Sequence, residues 1–398
     1  MKEIFKKALL ILCSTVISLD LCEIGVRILG YKFTGSTYTA DPLLGWALRP
    51  GAGAWEADEG VAWSRINSHG YRDRERSVSK PPGCYRVAVL GDSMTEARQV
   101  EMDETFTALA EEELNRRPCF HDRKVEVLNF GVPGYGTAQE LLQLRERVWP
   151  FSPDLLVLQV YPGNDIFNNY RALNISTPDL APYFLLRDGK LELDDRFRQG
   201  SAFNPTRVKI KGMAADALNR SVLLEMAYKL CRMRGQRGEL SRLEKVAEAD
   251  PNAPPPEYQR FLAFQSPAIA PMVEAWRVTE ALITEFGRET RSHGVPLLIL
   301  VMPAGIQIEF DRGKREEFRR AYKIDSLEYA DERVERCARA NEIPVLLLAK
   351  PLLDEATRTG AYMAGFANTA PNACHLNERG HIVVARQLTQ AICEMVNK

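Results

Sequence analysis

Residues 86–96 read RVAVLGDSMTE, and this stretch decides the fold. An apolar segment, Tyr85–Leu90, runs into a tight turn at Gly91 and Asp92, with Ser93 directly after it. A short, wholly apolar run that ends at a glycine turn is typical of a strand buried on both faces of a parallel sheet. The pattern predicts that Ser93 lies at the carboxyl end of a central strand.

The same alternation of short apolar runs and helical spacing continues on both sides of a long interruption. Strands are predicted at 85–90, 124–129, 154–161, 296–302 and 344–348, and helices at 105–114, 138–148, 271–293, 326–340 and 378–396. Strands that alternate with helices form parallel sheets through right-handed crossovers. We expect an α/β, flavodoxin-like three-layer fold with a five-stranded parallel sheet, an N-terminal helix and a helical insertion.

Composition excludes several classes of protein. The 398 residues include 45% hydrophobic and 26% charged residues, which is typical of a globular chain. Lys and Arg number 52 against 53 Asp and Glu, so no overall basic field favours a nucleic-acid partner. No spacing typical of a metal site is present, and we expect neither a metal nor another cofactor.

The N-terminus has the pattern of a membrane-targeting segment. Lys2, Lys6 and Lys7 precede an apolar run from Ala8 to Leu19, which extends to Leu29 if three charged residues are tolerated. We interpret residues 1–30 as an uncleaved signal anchor, with the rest of the chain extracytoplasmic, in the periplasm or at the cell surface. The alternative is a buried N-terminal helix of a soluble protein.

Three segments follow the anchor. Residues 31–80 show no long periodic run and are predicted to form an irregular extension without assigned chemistry. Residues 81–398 form the main domain, with an insertion at about 171–270 interpreted as a cap. A basic stretch at 218–245, with Arg232, Arg234, Arg237 and Arg242, is more typical of a solvated helix face than of an anion site.

Polar turns follow three consecutive predicted strands. Besides Ser93, the second strand ends in a glycine-rich turn that contains Gly134, and the third ends at Gly163-Asn164-Asp165. Ligands of open parallel sheets bind at the carboxyl ends of the strands. Glycines allow backbone N–H groups to approach a ligand, and an Asn amide can donate to a developing negative charge. The pattern indicates a nucleophile that faces an oxyanion hole.

The order Gly-Asp-Ser, Asn-x-Gly-x-x-Gly, Gly-Asn-Asp and a C-terminal His resembles the SGNH/GDSL hydrolase superfamily over residues 85–170 and 295–395. The resemblance implies that Ser93 is the nucleophile and His375 the general base. Ser93, Gly134 and Asn164 would then donate hydrogen bonds in the oxyanion hole. His381 is the rival base, but its place within the last helix favours packing or capping.

One position departs from the pattern of that superfamily. Asn372 stands three residues before His375, where the family has an Asp. We place Asn372 in the catalytic set, and three outcomes stay open. His375 is oriented by a backbone carbonyl in a Ser-His dyad, another carboxylate such as Asp354 serves, or the protein is inactive and retained for binding.

The resemblance implies a serine esterase that hydrolyses acyl esters of a lipid or an O-acylated carbohydrate. For an anchored protein we expect acetyl esters on cell-surface carbohydrate. The alternatives are an O-acyltransferase that uses the same residues and an inactive carbohydrate-binding or scaffold protein.

Cys84 and Cys119 each precede a predicted strand of the same sheet. Strands of a parallel sheet begin at the same edge, so a disulfide between these two residues and two reduced thiols are both compatible with the sequence.

Overall fold

The computed structural model describes residues 1–121, 123–174, 177, 179–231, 260–373 and 375–397. A five-stranded parallel sheet lies at its centre. Its strands are β5 (Cys84–Gly91), β6 (Lys124–Gly131), β7 (Leu155–Val160), β10 (Leu297–Val301) and β11 (Val345–Leu347), in the spatial order β11-β10-β7-β5-β6. With the sheet strands counted along the chain, this is the 2-1-3-4-5 order of flavodoxin-like folds. The predicted α/β class and five-stranded sheet are confirmed.

Helices cover both faces of this sheet, with two hydrophobic clusters beneath them. The helices of the main layers are α3 (Phe106–Arg116), α4 (Thr137–Gln143), α8 (Ala270–Ser292), α10 (Tyr329–Ala340), α11 (Ala349–Thr359) and α12 (Glu378–Val396). One cluster packs α4, α8 and α10 on the sheet, and the other packs α3, α11 and α12 on the opposite face. The strands read as continuous apolar runs because both of their faces are covered.

Three further helices belong to the main domain. These are α2 (Ser93–Glu96), α5 (Asp165–Asn168) and α9 (Arg312–Tyr322). The sequence patterns did not predict α9 or α11. Both have many charged residues, and helix α9 buries none of its residues fully, so its apolar periodicity is short.

The segment 31–80 carries two antiparallel hairpins that pack on the main domain. One pairs β1 (Tyr38–Asp41) with β2 (Gly45–Leu48), and the other pairs β3 (Gly53–Glu56) with β4 (Ala62–Arg65). Leu44 and Leu48 join the buried core. The extension is therefore bound to the sheet domain by packing and brings its loops to the sheet edge.

The interruption of the α/β pattern contains a hairpin and a helical pair. The hairpin is β8 (Tyr183–Arg187) and β9 (Lys190–Asp194), and the helices are α6 (Pro205–Arg220) and α7 (the described helical residues 222–231). Arg232, Arg234, Arg237 and Arg242 lie outside the described residues.

The N-terminal helix α1 (Lys2–Ile28) has no buried residue. Its 27 residues, with a mean hydropathy of 2.0 over the most apolar window, are long and apolar enough to cross a membrane. A signal sequence passes the same test, so the helix fits either an anchor or a signal.

The structure contains a disulfide between Cys119 and Cys393, which ties the loop after α3 to the last turns of α12. The bridge between Cys84 and Cys119 is not formed. Cys84 is a buried free thiol, and burial raises its pKa to about 11. The interpretation of the sequence compared only cysteines at strand starts, whereas Cys393, the partner of Cys119, lies on α12.

Candidate active site

Ser93 lies where the sequence predicts, at the carboxyl end of a central strand. Strand β5 ends at Gly91, Asp92 caps α2, and Ser93 is the first residue of that short helix. The Asp92 side chain accepts a hydrogen bond from the Met94 N–H at 2.9 Å, which fixes the turn. The Ser93 hydroxyl is thereby held at the sheet edge.

His375 contacts the Ser93 hydroxyl directly. Its Nε2 lies 2.8 Å from Ser93 Oγ, within hydrogen-bond distance for proton transfer. The loop that carries His375 is fixed on both sides, because the Gly365 N–H donates to the His375 carbonyl and the Asn377 amide donates to the carbonyls of Tyr362 and Gly365. The predicted nucleophile and base are brought together.

The carboxylate that orients His375 is Glu59, from the N-terminal extension. Its Oε2 lies 2.5 Å from His375 Nδ1, and its Oε1 accepts from the His375 backbone N–H at 2.8 Å. With Nδ1 donating to Glu59, Nε2 is left as the acceptor that faces Ser93. The two contacts fix both the ring and the backbone of the base.

The loop that carries Glu59 is clamped from two directions. Glu56 Oε1 accepts hydrogen bonds from the N–H groups of Asp58 and Glu59. From the other side, Asn368 Oδ1 accepts from the Gly60 N–H at 2.9 Å, and its amide donates to the carbonyls of Ala57 and Gly60. These contacts define the position of Glu59 before any substrate binds.

Gly60 makes this loop sterically feasible. Its φ is +72°, a left-handed conformation that favours glycine, and a Cβ added there would lie 2.4 Å from the Gln99 carbonyl oxygen. Any side chain at this position would force the loop, and with it Glu59, away from His375.

Asn372, which the sequence placed in the catalytic set, does not orient His375. Its amide donates to Glu309 Oε2 at 3.2 Å, and its backbone N–H donates to the Ala364 carbonyl. Asp354 does not serve either, because it is exposed and pairs with Lys350 on α11. Spacing along the chain pointed to residue 372, but the carboxylate arrives from a loop 316 residues away.

No local motif around Glu59 could have revealed its role. The surrounding residues, Asp58-Glu59-Gly60, read as an ordinary charged turn. The only signal was indirect, since a predicted histidine base without a carboxylate in its own loop can be oriented by a carboxylate from another segment.

The expected oxyanion donors line the same cavity as Ser93. Gly134 has a φ of +79° and lies against the Trp46 ring, which a Cβ would approach to 3.3 Å. Asn164 Nδ2 donates to Asp92 Oδ2 at 2.7 Å, so the amide is held beside the Ser93 turn. Ser93, Gly134 and Asn164 line one cavity together with His375.

Two buried carboxyl groups, Asp92 and Glu140, belong to the surroundings of Asn164. Burial raises the pKa of Asp92, although its hydrogen bonds with Asn164 and the Met94 N–H oppose the shift. Burial and the nearby Asp92 also raise the pKa of Glu140 well above its ordinary value, and both Glu140 oxygens are buried without a hydrogen-bond partner. Burial therefore disfavours the charged form of both groups, and the Asp92 side chain accepts the hydrogen bond that holds Asn164.

His381 is a core residue and not the base. It is 2% exposed, its Nδ1 accepts from the Phe106 N–H, and burial lowers its pKa to about 3. A neutral, enclosed imidazole with its Nδ1 occupied cannot receive a proton from Ser93. The preference for His375 over His381 agrees with this geometry.

A large cavity opens beside the serine, with a volume of about 1500 Å³. Most of its lining is apolar or aromatic, and it includes Trp46, Tyr161, Phe167 and Phe264. Its polar lining includes Glu309 and Asn372. Typical small-ligand sites are about 300–1,000 Å³, so the cavity has room for far more than an acetyl group.

Within the described ranges, no group of three or more His, Cys, Asp or Glu side chains is arranged to hold a metal ion.

No protein-family profile and no curated protein matches this sequence. Among solved structures, the chain is similar to the acetyl xylan esterase AlAXEase, with 13% identity, a TM-score of 0.37, and coverage of 77% of this chain and 99% of that one. It is similar to a variant of Axe2, an acetyl xylan esterase from Geobacillus stearothermophilus, with 12% identity, a TM-score of 0.39, and coverage of 77% and 94%. A GDSL-like lipase from Bacteroides thetaiotaomicron has 14% identity, a TM-score of 0.33, and coverage of 80% and 93%. The solved structures to which the chain is similar thus include two acetyl xylan esterases and a GDSL-like lipase.

Proposed function

We propose that this protein is a serine esterase in which Ser93, His375 and Glu59 form the catalytic triad. The observation that carries the proposal is the continuous series of hydrogen bonds from Ser93 Oγ to His375 Nε2 and from His375 Nδ1 to Glu59, at the edge of a cavity. This arrangement activates a serine hydroxyl for acyl transfer.

The reaction follows from these contacts. Ser93 Oγ attacks the ester carbonyl while its proton passes to His375 Nε2, and Glu59 stabilises the imidazolium that forms. The tetrahedral oxyanion is held by the N–H groups of Ser93 and Gly134 and by the Asn164 amide. His375 then protonates the departing alcohol. A water molecule next attacks the acyl-enzyme while it gives a proton to His375, and the bond from the acyl group to Ser93 Oγ breaks as His375 returns the proton to Oγ, which releases the acid.

Glu59 also bears on the alternative of an inactive binding protein. That alternative rested on Asn372, which leaves no carboxylate in the loop of the base. With Glu59 hydrogen-bonded to His375, the proposed site contains a nucleophile, a base and the carboxylate that orients the base. Transfer of the acyl group to a sugar hydroxyl uses the same residues and differs only in the acceptor.

For the substrate we propose acyl esters, with acetyl esters of cell-surface carbohydrate as the first class to test. Trp46 and Tyr161 offer aromatic groups to the cavity that Ser93 lines, and Glu309 and Asn168 offer polar groups to it. A cavity of this size favours a large molecule that bears the acyl group over a small free ester.

For location we propose an extracytoplasmic domain attached by α1. The lysines before the apolar run favour a cytoplasmic N-terminus. The disulfide between Cys119 and Cys393 independently favours an oxidising compartment.

The test uses the full chain in mild detergent, with p-nitrophenyl acetate and an acetylated oligosaccharide as substrates. Wild type should hydrolyse the ester and form a covalent adduct with a fluorophosphonate. Ser93→Ala should lose both, whereas Ser292→Ala, which changes an exposed serine at the end of α8, should keep both. Equal rates for wild type and Ser93→Ala, without labelling, would reject the proposal. A new ester on an added sugar acceptor would identify transfer.

A further inference from the structure

Helix α6 presents an apolar stripe to the outside of the protein. Ile210, Met213, Ala214 and Ala217 are all exposed, with Ile210 at 61% and Met213 at 65%. Their i, i+3, i+4, i+7 spacing places them on one face of the helix. The solvent-facing side of a surface helix normally carries charged or polar residues.

Helix α7 repeats the arrangement. Leu224, Ala227, Tyr228 and Cys231 have the same spacing and are all exposed, with Leu224 at 51%. The other side of α7 is bound to the protein, since Glu225 is buried and Lys229 pairs with Asp58. Two consecutive helices therefore carry unpartnered apolar stripes within the described residues.

The C-terminal end of α1 is bonded to the junction between these two helices. Glu23 accepts hydrogen bonds from the Val222 N–H at 2.9 Å and from the Leu223 N–H and the Ser221 hydroxyl at 3.0 Å. Arg27 donates to the Arg220 carbonyl at 2.6 Å. Any membrane that α1 crosses therefore ends close to the point where α6 meets α7.

Charge near the stripes matches a lipid surface. Arg207 and Lys209 are exposed on the first half of α6. Basic residues next to an exposed apolar face are typical of helices that lie in the headgroup region of a bilayer, where anionic lipids attract them.

We propose that the outward stripes of α6 and α7 rest in the headgroup region of the bilayer that α1 spans. The proposal requires α1 to be a membrane helix but does not depend on the esterase reaction. A contiguous apolar surface is unfavourable in water, and shallow burial in lipid removes it from water. The inner side of α6 lines the cavity through Val208, Lys211 and Gly212, so this seating brings one wall of the cavity to the membrane surface.

The test inserts a tryptophan at each stripe of the full chain. Met213→Trp and Leu224→Trp are placed in vesicles of equal parts phosphatidylcholine and phosphatidylglycerol, with lipids brominated near the top of their acyl chains. The parent protein gives the background from its own five tryptophans. Ile382→Trp, at a similarly exposed apolar site on α12, is the matched control. Flotation with the vesicles verifies that each variant is inserted.

Lipid seating predicts that the added fluorescence of Met213→Trp and Leu224→Trp is quenched several-fold more than that of Ile382→Trp. Unquenched emission at long wavelength would mean that the stripes face water and would overturn the proposal. Unquenched emission at short wavelength would overturn it in favour of a protein cover, such as a second copy of the chain or residues 232–259. Labelling of Ser93 by fluorophosphonate in the same samples reports on the esterase reaction separately.

Discussion

Two loops can be compared as sources of a carboxylate for His375, and only one of them supplies it. The loop 57–60 delivers the Glu59 carboxylate to the imidazole, with two hydrogen bonds to His375. The loop 371–373 precedes His375 in the chain, but its Asn372 turns to Glu309. The comparison teaches that closeness in sequence does not identify the partner of a catalytic base, because the hydrogen bonds are made by a loop from another part of the chain.

The largest expected effect is loss of the Glu59 charge. Glu59→Gln keeps the size of the side chain but cannot stabilise the imidazolium, so kcat should fall by up to about 10⁴-fold. The rate of p-nitrophenyl acetate hydrolysis measures this effect. Asp58→Asn, which removes the neighbouring exposed carboxylate, is the matched control and should stay near the wild-type rate. An unchanged rate in Glu59→Gln would show that the base does not need this loop.

A smaller effect is expected when the Glu59 loop loses its clamp. Asn368→Ala removes three hydrogen bonds to Ala57 and Gly60. Because Asn368 is exposed and water can replace part of these contacts, we expect kcat/KM to fall roughly tenfold, which corresponds to about 1.4 kcal/mol.

The control for this clamp is Asn341→Ala, which removes hydrogen bonds to Thr284 and the Cys337 carbonyl far from the site. It should lower stability to a similar extent without loss of kcat/KM. If both variants lose activity equally, the clamp acts only through stability, and the defined position of Glu59 would not depend on Asn368.

A substitution in the loop 371–373 should change kcat/KM much less. Asn372→Asp restores the residue type of the SGNH pattern but places a carboxylate opposite Glu309, whose Oε2 lies 3.2 Å from the Asn372 amide. Like charges repel, and Glu59 already occupies His375 Nδ1, so kcat/KM should change by no more than about threefold. A large gain in kcat/KM would contradict the geometry and assign the third role to residue 372.

The smallest expected effect on activity concerns the buried charges beneath the Glu59 loop, which act mainly on stability. Arg98 pairs with Glu56, which holds that loop, and Glu96 is buried nearby. Burial raises the pKa of Glu96 from 4.5 to about 7. The folded protein therefore retains a proton that the unfolded chain loses above pH 4.5, and stability should fall as the pH rises from 4.5 towards 7.

Glu96→Gln should weaken this decline. The free energy of unfolding, measured by urea denaturation across this pH range, would show it, with an activity assay to verify that Ser93 and His375 remain in place. An identical pH dependence in the variant would mean that other groups, such as Asp331, whose pKa burial also raises to about 7, cause the decline.

The sheet and the position of Ser93 could be predicted because both depend on local patterns. Each strand of the sheet is a short apolar run, and Ser93, Gly134 and Asn164 follow three of them at the strand ends. Turn chemistry and burial act over a few residues, so the sequence carries them directly. The last helix was predicted with the same bounds that the structure gives, Glu378–Val396.

Glu59 and the disulfide could not be predicted because they depend on contacts between distant segments. Glu59 reaches His375 only because two hairpins of the extension pack on the main domain. Cys119 pairs with Cys393 because α3 and α12 lie side by side on one face of the sheet. Neither of these contacts leaves a periodic sequence pattern near Glu59 or Cys119.

The separation of the three proposed triad residues along the chain has a consequence for folding kinetics. Glu59 and His375 are 316 residues apart, and Ser93 and His375 are 282 apart. Contacts between such distant residues close large loops and form late compared with local structure. During refolding, secondary structure should return before esterase activity, and the delay between the two signals would time the arrival of the extension and the C-terminal loop at the sheet edge.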